Sequence, residues 1–165
     1  MEINADIMNR VETDSKLIDD VVDKVVKKYT GKVNEYIDSI KTFLENGTED
    51  MTLDDMNRIS LRVASYLFFM SDNVCKASIR NSIAEQVRNE KYNQEYCNIT
   101  SGTIADRTAK ATELVKQEEV INIIFDKVYR TMKLKYSALE KLADTIRKIQ
   151  TVKVNEMQIS MKVGV

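Results

Sequence analysis

Two short stretches of the chain carry the residue types that could do chemistry. The first, "VRNEKYNQEY", places Arg88, Lys91, Tyr92 and Tyr96 close together. Arg88 and Tyr92 are four apart, as are Tyr92 and Tyr96, so on a helix the three share a face. The second, "FDKVYRTMKLKY", sets Lys127, Arg130, Lys133 and Lys135 in under three helical turns, with Tyr129 and Tyr136 seven apart. Between residues 126 and 148 there are seven basic and three acidic residues. Cations spaced along a helix can follow a phosphate backbone, and aromatic rings offer faces on which bases stack. Together these are the ingredients of sequence-tolerant single-strand binding. The same residues also describe a solvated surface of lysines with tyrosines packed at helix seams, and composition does not choose between the two.

Other chemistry is poorly served. The chain has no His, which excludes His-based triads and imidazole acid–base pairs. Its four glycines stand alone, at 31, 47, 102 and 164, so no glycine-rich phosphate loop exists. Glu49, Asp50, Asp54 and Asp55 cluster at the start of a helix. Such carboxylates could hold a divalent ion, but acidic residues there are also expected from the helix dipole alone. No metal, no cofactor and no catalytic residue is expected. Cys75 and Cys97, with no CxxC and no His, read as buried, reduced thiols.

The elements that would carry these residues are helical. Pro is absent from all 165 residues, apolar residues make up 43% and charged residues 31%, a balance that suits long helices exposed along much of their length. A first helix is predicted from Thr13 or Asp14, with the stripe Ile18, Val22, Val25, Tyr29, Val33, Tyr36, Ile40 and Phe43, ending at Gly47. A second begins at Thr52 with Asp55 completing a capping box. It carries Met56, Ile59, Val63, Tyr66, Leu67, Met70, Val74, Ala77, Ala84 and Val87 inward, and it stops at "NITSGT". A third starts at Thr103, with Asp106 three residues on, and runs to about Gln150. Its seam is Phe125, Val128, Met132, Leu139, Leu142, Ile146 and Ile149, with Lys135 in one polar slot.

The chain then ends in "TVKVNEMQISMKVGV", where Met157, Ile159, Met161, Val163 and Val165 alternate with less apolar residues. This predicts a β-hairpin turning at Asn155-Glu156, with Met157, Ile159, Met161 and Val163 as an oligomerisation edge, because an unpaired apolar strand needs cover. The expected fold is all-α: an elongated bundle of three long helices with a short C-terminal β-hairpin. The expected organisation is one domain with an acidic arm (1–50), a basic body (52–150) and a β tail (151–165). Charge follows that division: residues 1–57 hold 14 acidic and 7 basic residues, and residues 58–165 hold 12 and 18. No stretch approaches the length of a membrane span, and "MEINADIMNRVETD" lacks the basic-then-apolar order of a signal peptide.

Residues 52–150 resemble the UvsY recombination-mediator family of T-even phages in layout. A long helix with an aromatic patch ("SYLFFMSD") runs into the basic, tyrosine-ended stretch. A charged segment follows ("SGTIADRTAKATELVKQEE"), and then a helix that continues as basic heptads. The resemblance implies a small helical ring-forming protein that binds single-stranded DNA and helps load a recombinase. It also implies contacts from Arg88 and Lys91 ahead of Tyr92 and Tyr96. Glu90 interrupts that order, and the acidic arm and the tail have no counterpart in the family.

The expectation is therefore a non-enzymatic, oligomeric, single-strand-binding recombination accessory protein. Its nucleic-acid contacts would be Arg88, Lys91, Tyr92, Lys127, Arg130, Lys133 and Lys135. Its expected partners are single-stranded nucleic acid, further copies of itself, and a recombinase or single-strand-binding protein, with no membrane, in the cytoplasm of a phage host. The alternative is a structural assembly protein, such as a virion connector or scaffold, that forms a helical homo-oligomer.

Overall fold

The computed structural model describes residues 5–45 and 51–163. Among them are four helices and no strand: α1 (Ala5–Glu45), α2 (Leu53–Asn98), α3 (Ile104–Leu114) and α4 (Lys116–Val163). They form two compact units. One draws on the chain up to Tyr29 and on Cys75–Met132; the other draws on Thr30–Val74 and on the chain from Lys133 onward. We call these the first and second unit. No helix among the described residues is long and apolar enough to cross a membrane.

The periodic stripes are the cores. In the first unit Val22, Val26, Ala77, Ala84, Ala111, Val115, Val128 and Met132 are buried. In the second, Ile40 of α1, Met51 before α2, Met56, Ile59 and Val63 of α2, and Ile146 of α4 form one apolar cluster. Tyr66, Leu67, Leu142, Ala143 and Ile149 pack around it. α2 and α4 run antiparallel there, since Gln150 Nε2 donates to Asn57 Oδ1 at 3.0 Å and Lys153 donates to the Met51 carbonyl. The side chains of Val33, Tyr36 and Phe43, and all of Gly47, lie outside the described residues.

Both capping boxes form. The Asp55 amide donates to Thr52 Oγ1 at 3.2 Å, and the Thr52 amide donates back to Asp55 Oδ2 at 3.2 Å. Thr103 and Asp106 repeat the arrangement at the start of α3. Gly102 precedes that cap with φ +102°, and a Cβ there would meet the Asp106 Cβ at 3.2 Å, so both the turn and the cap demand glycine. Hydrogen bonds from Thr52 (first from its hydroxyl, then from its backbone) hold the Asp55 carboxyl below its ordinary pKa, and Thr103 does the same for Asp106. A pKa depressed on folding contributes stability above the unfolded value, and this is lost as pH falls through the folded value. The double variant Thr52→Ala, Thr103→Ala is therefore expected to melt lower at neutral pH and to lose less stability than wild type on acidification. Melting temperatures across the acid range check this, and parallel wild-type and variant curves would contradict it.

Three boundaries differ from the sequence reading. α1 starts at Ala5, eight or nine residues early, and Thr13 is no cap: its hydroxyl donates to the Asn9 carbonyl at 2.8 Å from inside the helix. Residues 6–17 are exposed throughout, so no inward stripe marks that stretch in the sequence. The third predicted helix is two, broken at Val115 (φ −104°, ψ 16°). Ala111 and Val115, both almost wholly buried, anchor this break by packing, with no Gly or Pro to signal it.

The largest correction concerns the tail. The predicted hairpin is absent: residues 151–163 continue α4 as helix. A helix satisfies its backbone groups internally, whereas a strand with no partner cannot, and no Gly or Pro stops α4 before Gly164. Helical geometry also dissolves the expected oligomerisation edge. Met157 and Met161 share a face, but Ile159 points elsewhere, and all three are exposed. The side chain of Val163, and all of Val165, lie outside the described residues. Because residues 155–161 are exposed on every side, Ile159→Pro should remove only the last turns of helix. Far-UV circular dichroism should fall slightly with an unchanged melting temperature. A clear drop in melting temperature would mean that the tail is packed.

Candidate nucleic-acid interface

The seven predicted contact residues do not fall in one unit. Arg88, Lys91, Tyr92, Lys127 and Arg130 belong to the first unit, and Lys133 and Lys135 to the second. In the first unit the end of α2 packs beside the start of α4, and there Arg88 Nε meets Glu119 Oε2 at 2.6 Å. Its Nη1 donates to Asn89 Oδ1 at 2.9 Å. Lys91 Nζ lies 2.7 Å from Glu95 Oε1. That hydrogen bond, then the charge of Glu95 and, more weakly, that of Glu118, raises the Lys91 pKa.

Tyr92 and Tyr96 do share a face, and they use it on each other: their rings stack at 6.2 Å with an interplanar angle of 22°. The guanidinium of Arg107, from α3, sits 4.4 Å over the Tyr96 ring, and its Nη2 donates to the Tyr96 carbonyl at 3.1 Å. Arg107 carries no role in the sequence reading, yet it ties α3 to the last turn of α2.

The cations of α4 are also engaged. Lys127 pairs with Asp19 of α1, and Arg130 Nε lies 2.8 Å from Asp126 Oδ2. Lys135 is half-buried and donates to Asn34 Oδ1 at 3.3 Å; Asn34 in turn donates to Thr30, which is fully buried. The polar slot in the seam is therefore filled by a polar layer between α1 and α4. Lys133 is exposed and makes no ion pair among the described residues. Thus Arg88, Lys91, Lys127 and Arg130 are each neutralised by a carboxylate of this chain, and a phosphate would have to displace that carboxylate. Each pair is at least partly solvated, which makes it weak and exchangeable.

Two of the four carboxylates clustered at the start of α2 have partners in this chain. Asp55 is the capping-box acid and Asp54 pairs with Arg58 at 3.1 Å, while Glu49 and Asp50 lie outside the described residues. Among the described residues no group of three or more His, Cys, Asp or Glu could hold an ion. Cys75 and Cys97, expected to be buried, are both exposed.

What the sequence reading missed is apolar. Ile79, Ile83 and Val87, four apart on α2, are exposed beside the buried Ala77 and Ala84, so α2 carries a second stripe next to its core stripe. Val87, assigned inward, belongs to this outer stripe. Between α2 and α4, Ile83, Ala84, Val87, Ile121 and Phe125 line an open apolar groove of about 290 Å³. In the second unit Phe68 and Phe69, edge to face at 5.9 Å, are both exposed, as is Leu61 one heptad before Phe68. No protein family, no curated protein and no solved structure matches the chain.

Proposed function

We propose that this chain is a non-enzymatic assembly protein that works as a helical homo-oligomer. The observation that carries this reading is the exposed second stripe of α2 with the groove beside it. Branched apolar residues in a row at helical spacing, on a helix whose adjoining face is already packed, are costly to leave in water and are the ordinary material of helix–helix interfaces. Homo-oligomerisation is also common to both functions expected from the sequence. Light scattering over a range of protein concentrations tests it. A mass above that of one 19.0 kDa chain is expected, and a monomer at every concentration would refute it.

A second reading, single-strand binding in recombination, is favoured by one feature: the half-exposed Tyr92–Tyr96 stack flanked by Arg88 and Lys91. Titration of a labelled oligonucleotide at two salt concentrations tests it. On this reading Lys133→Glu, which breaks no ion pair among the described residues, should lower the salt slope by about 0.7 if that lysine meets a phosphate. An unchanged slope removes Lys133 from the interface.

A further inference from the structure

The apolar groove of the first unit has an order of charges along it. Arg88 of α2 pairs with Glu119 of α4, so Glu118 lies beside that end of the groove, close enough to Lys91 to affect its pKa. Arg80 lines the groove too. It stands eight residues before Arg88 on α2, about 12 Å away along the helix. The groove therefore has a cation at one end, a carboxylate at the other, and Ile83, Val87, Ile121 and Phe125 between them. Arg80 is exposed, with its guanidinium over the Tyr29 ring at 5.2 Å, and Glu118 is half-exposed, so both charges are open to a partner.

That order is complementary to itself. Under a two-fold axis through the middle of the groove, Arg80 of each copy meets Glu118 of the other, and the apolar centres meet each other. This is the pattern of an isologous interface, where one patch serves both partners. A different partner would need the same charges in reverse order on an equally apolar surface; a second copy supplies them without further assumption. We propose that this face, with Ile79 and Val120 at its margins, is a two-fold interface between copies of this chain. The inference rests on the reading that the chain self-associates, and it names the surface and the symmetry.

Charge reversal tests it. Arg80→Glu places two carboxylates opposite each other at both ends of the interface, and Glu118→Arg places two guanidinium groups there. Each single variant is expected to weaken self-association by about tenfold or more in sedimentation velocity, since like charges brought together at an interface are strongly unfavourable. The double variant Arg80→Glu, Glu118→Arg restores opposite charges and should recover most of the loss, although the Tyr29 contact is still missing. Circular dichroism confirms folding, and Ile79→Lys, at an exposed position, provides a second probe that should also weaken association. Wild-type assembly with all variants unaffected would overturn this face while leaving self-association standing. Weakened single variants with no recovery in the double would overturn the two-fold pairing. A wild-type monomer would remove the underlying reading itself.

Discussion

Replacing Ile146 by aspartate is expected to unfold the second unit at temperatures where the wild-type chain is folded. Ile146 is 3% exposed and sits in the cluster with Ile40, Met51, Met56, Ile59 and Val63. All six side chains of that cluster are apolar. Losing the buried side chain costs about 2–5 kcal/mol by analogy with large-to-small core changes, and an unpaired carboxylate in its place adds the cost of desolvating a charge. The sum, about 5 kcal/mol or more, compares with the 5–15 kcal/mol that holds a typical domain together. Stripped of water, the new carboxyl would keep its proton more readily, so the loss should shrink as the solution is acidified. Leu134→Asp on the same helix is the control: at 72% exposure it should change stability by no more than about 0.5 kcal/mol. Urea unfolding of both variants checks the contrast, and equal midpoints would mean that the α4 seam is not the core.

The seam was legible because it is local and repetitive. Val128, Met132, Leu139 and Ile146 recur at steps that only one helical face can satisfy, and all four are buried. The caps were legible for the same reason: Thr52 with Asp55 and Thr103 with Asp106 are complete within four residues. The tail misled because its apolar residues satisfy two periods at once. Met157, Ile159 and Met161 alternate as a strand would, while Val154, Met157 and Met161 step by three and four as a helix does. The arbiter is the availability of a pairing strand, which a short window does not contain.

The state of Arg88 and Lys127 was not legible, because it is decided by distant parts of the chain. Arg88 finds its carboxylate 31 residues away and Lys127 finds its own 108 residues away. A short window shows these two cations without their partners, whereas Lys91 with Glu95 and Arg130 with Asp126 pair within about one helical turn. The four pairs together leave a patch counted as basic largely neutralised. The acidic arm takes part directly, since Asp19 belongs to it. The outer stripe of α2 was hidden differently. Ile79, Ile83 and Val87 lie within three residues of the buried Ala77 or Ala84, and a helix apolar on two adjoining faces reads in one dimension as a single broad stripe.

Arg107→Ala should be the most damaging change outside the apolar cores, lowering stability by about 2 kcal/mol. α2 ends at Asn98 with no glycine cap of its own, so its last carbonyls need donors from elsewhere. The Arg107 guanidinium supplies one to the Tyr96 carbonyl and covers the Tyr96 ring at 4.4 Å. It also brings a positive charge to the negative end of the helix dipole. A hydrogen bond from a charged donor is worth about 1.5–3 kcal/mol and a partly desolvated cation–π contact about 1 kcal/mol. Against these stands a cost, because Arg107 Nε is buried with no hydrogen-bond partner among the described residues, and this brings the net down to about 2 kcal/mol. Arg107→Lys should fall between wild type and alanine: the ammonium can reach the carbonyl or the ring but lacks the planar fork that serves both. Hydrogen exchange should show amides at the end of α2 and the start of α3 opening first in the alanine variant. If the variant unfolds within about 0.5 kcal/mol of wild type, a margin typical of plain surface changes, the end of α2 is held by the Tyr92–Tyr96 stack instead, and Tyr92→Ala becomes the decisive substitution.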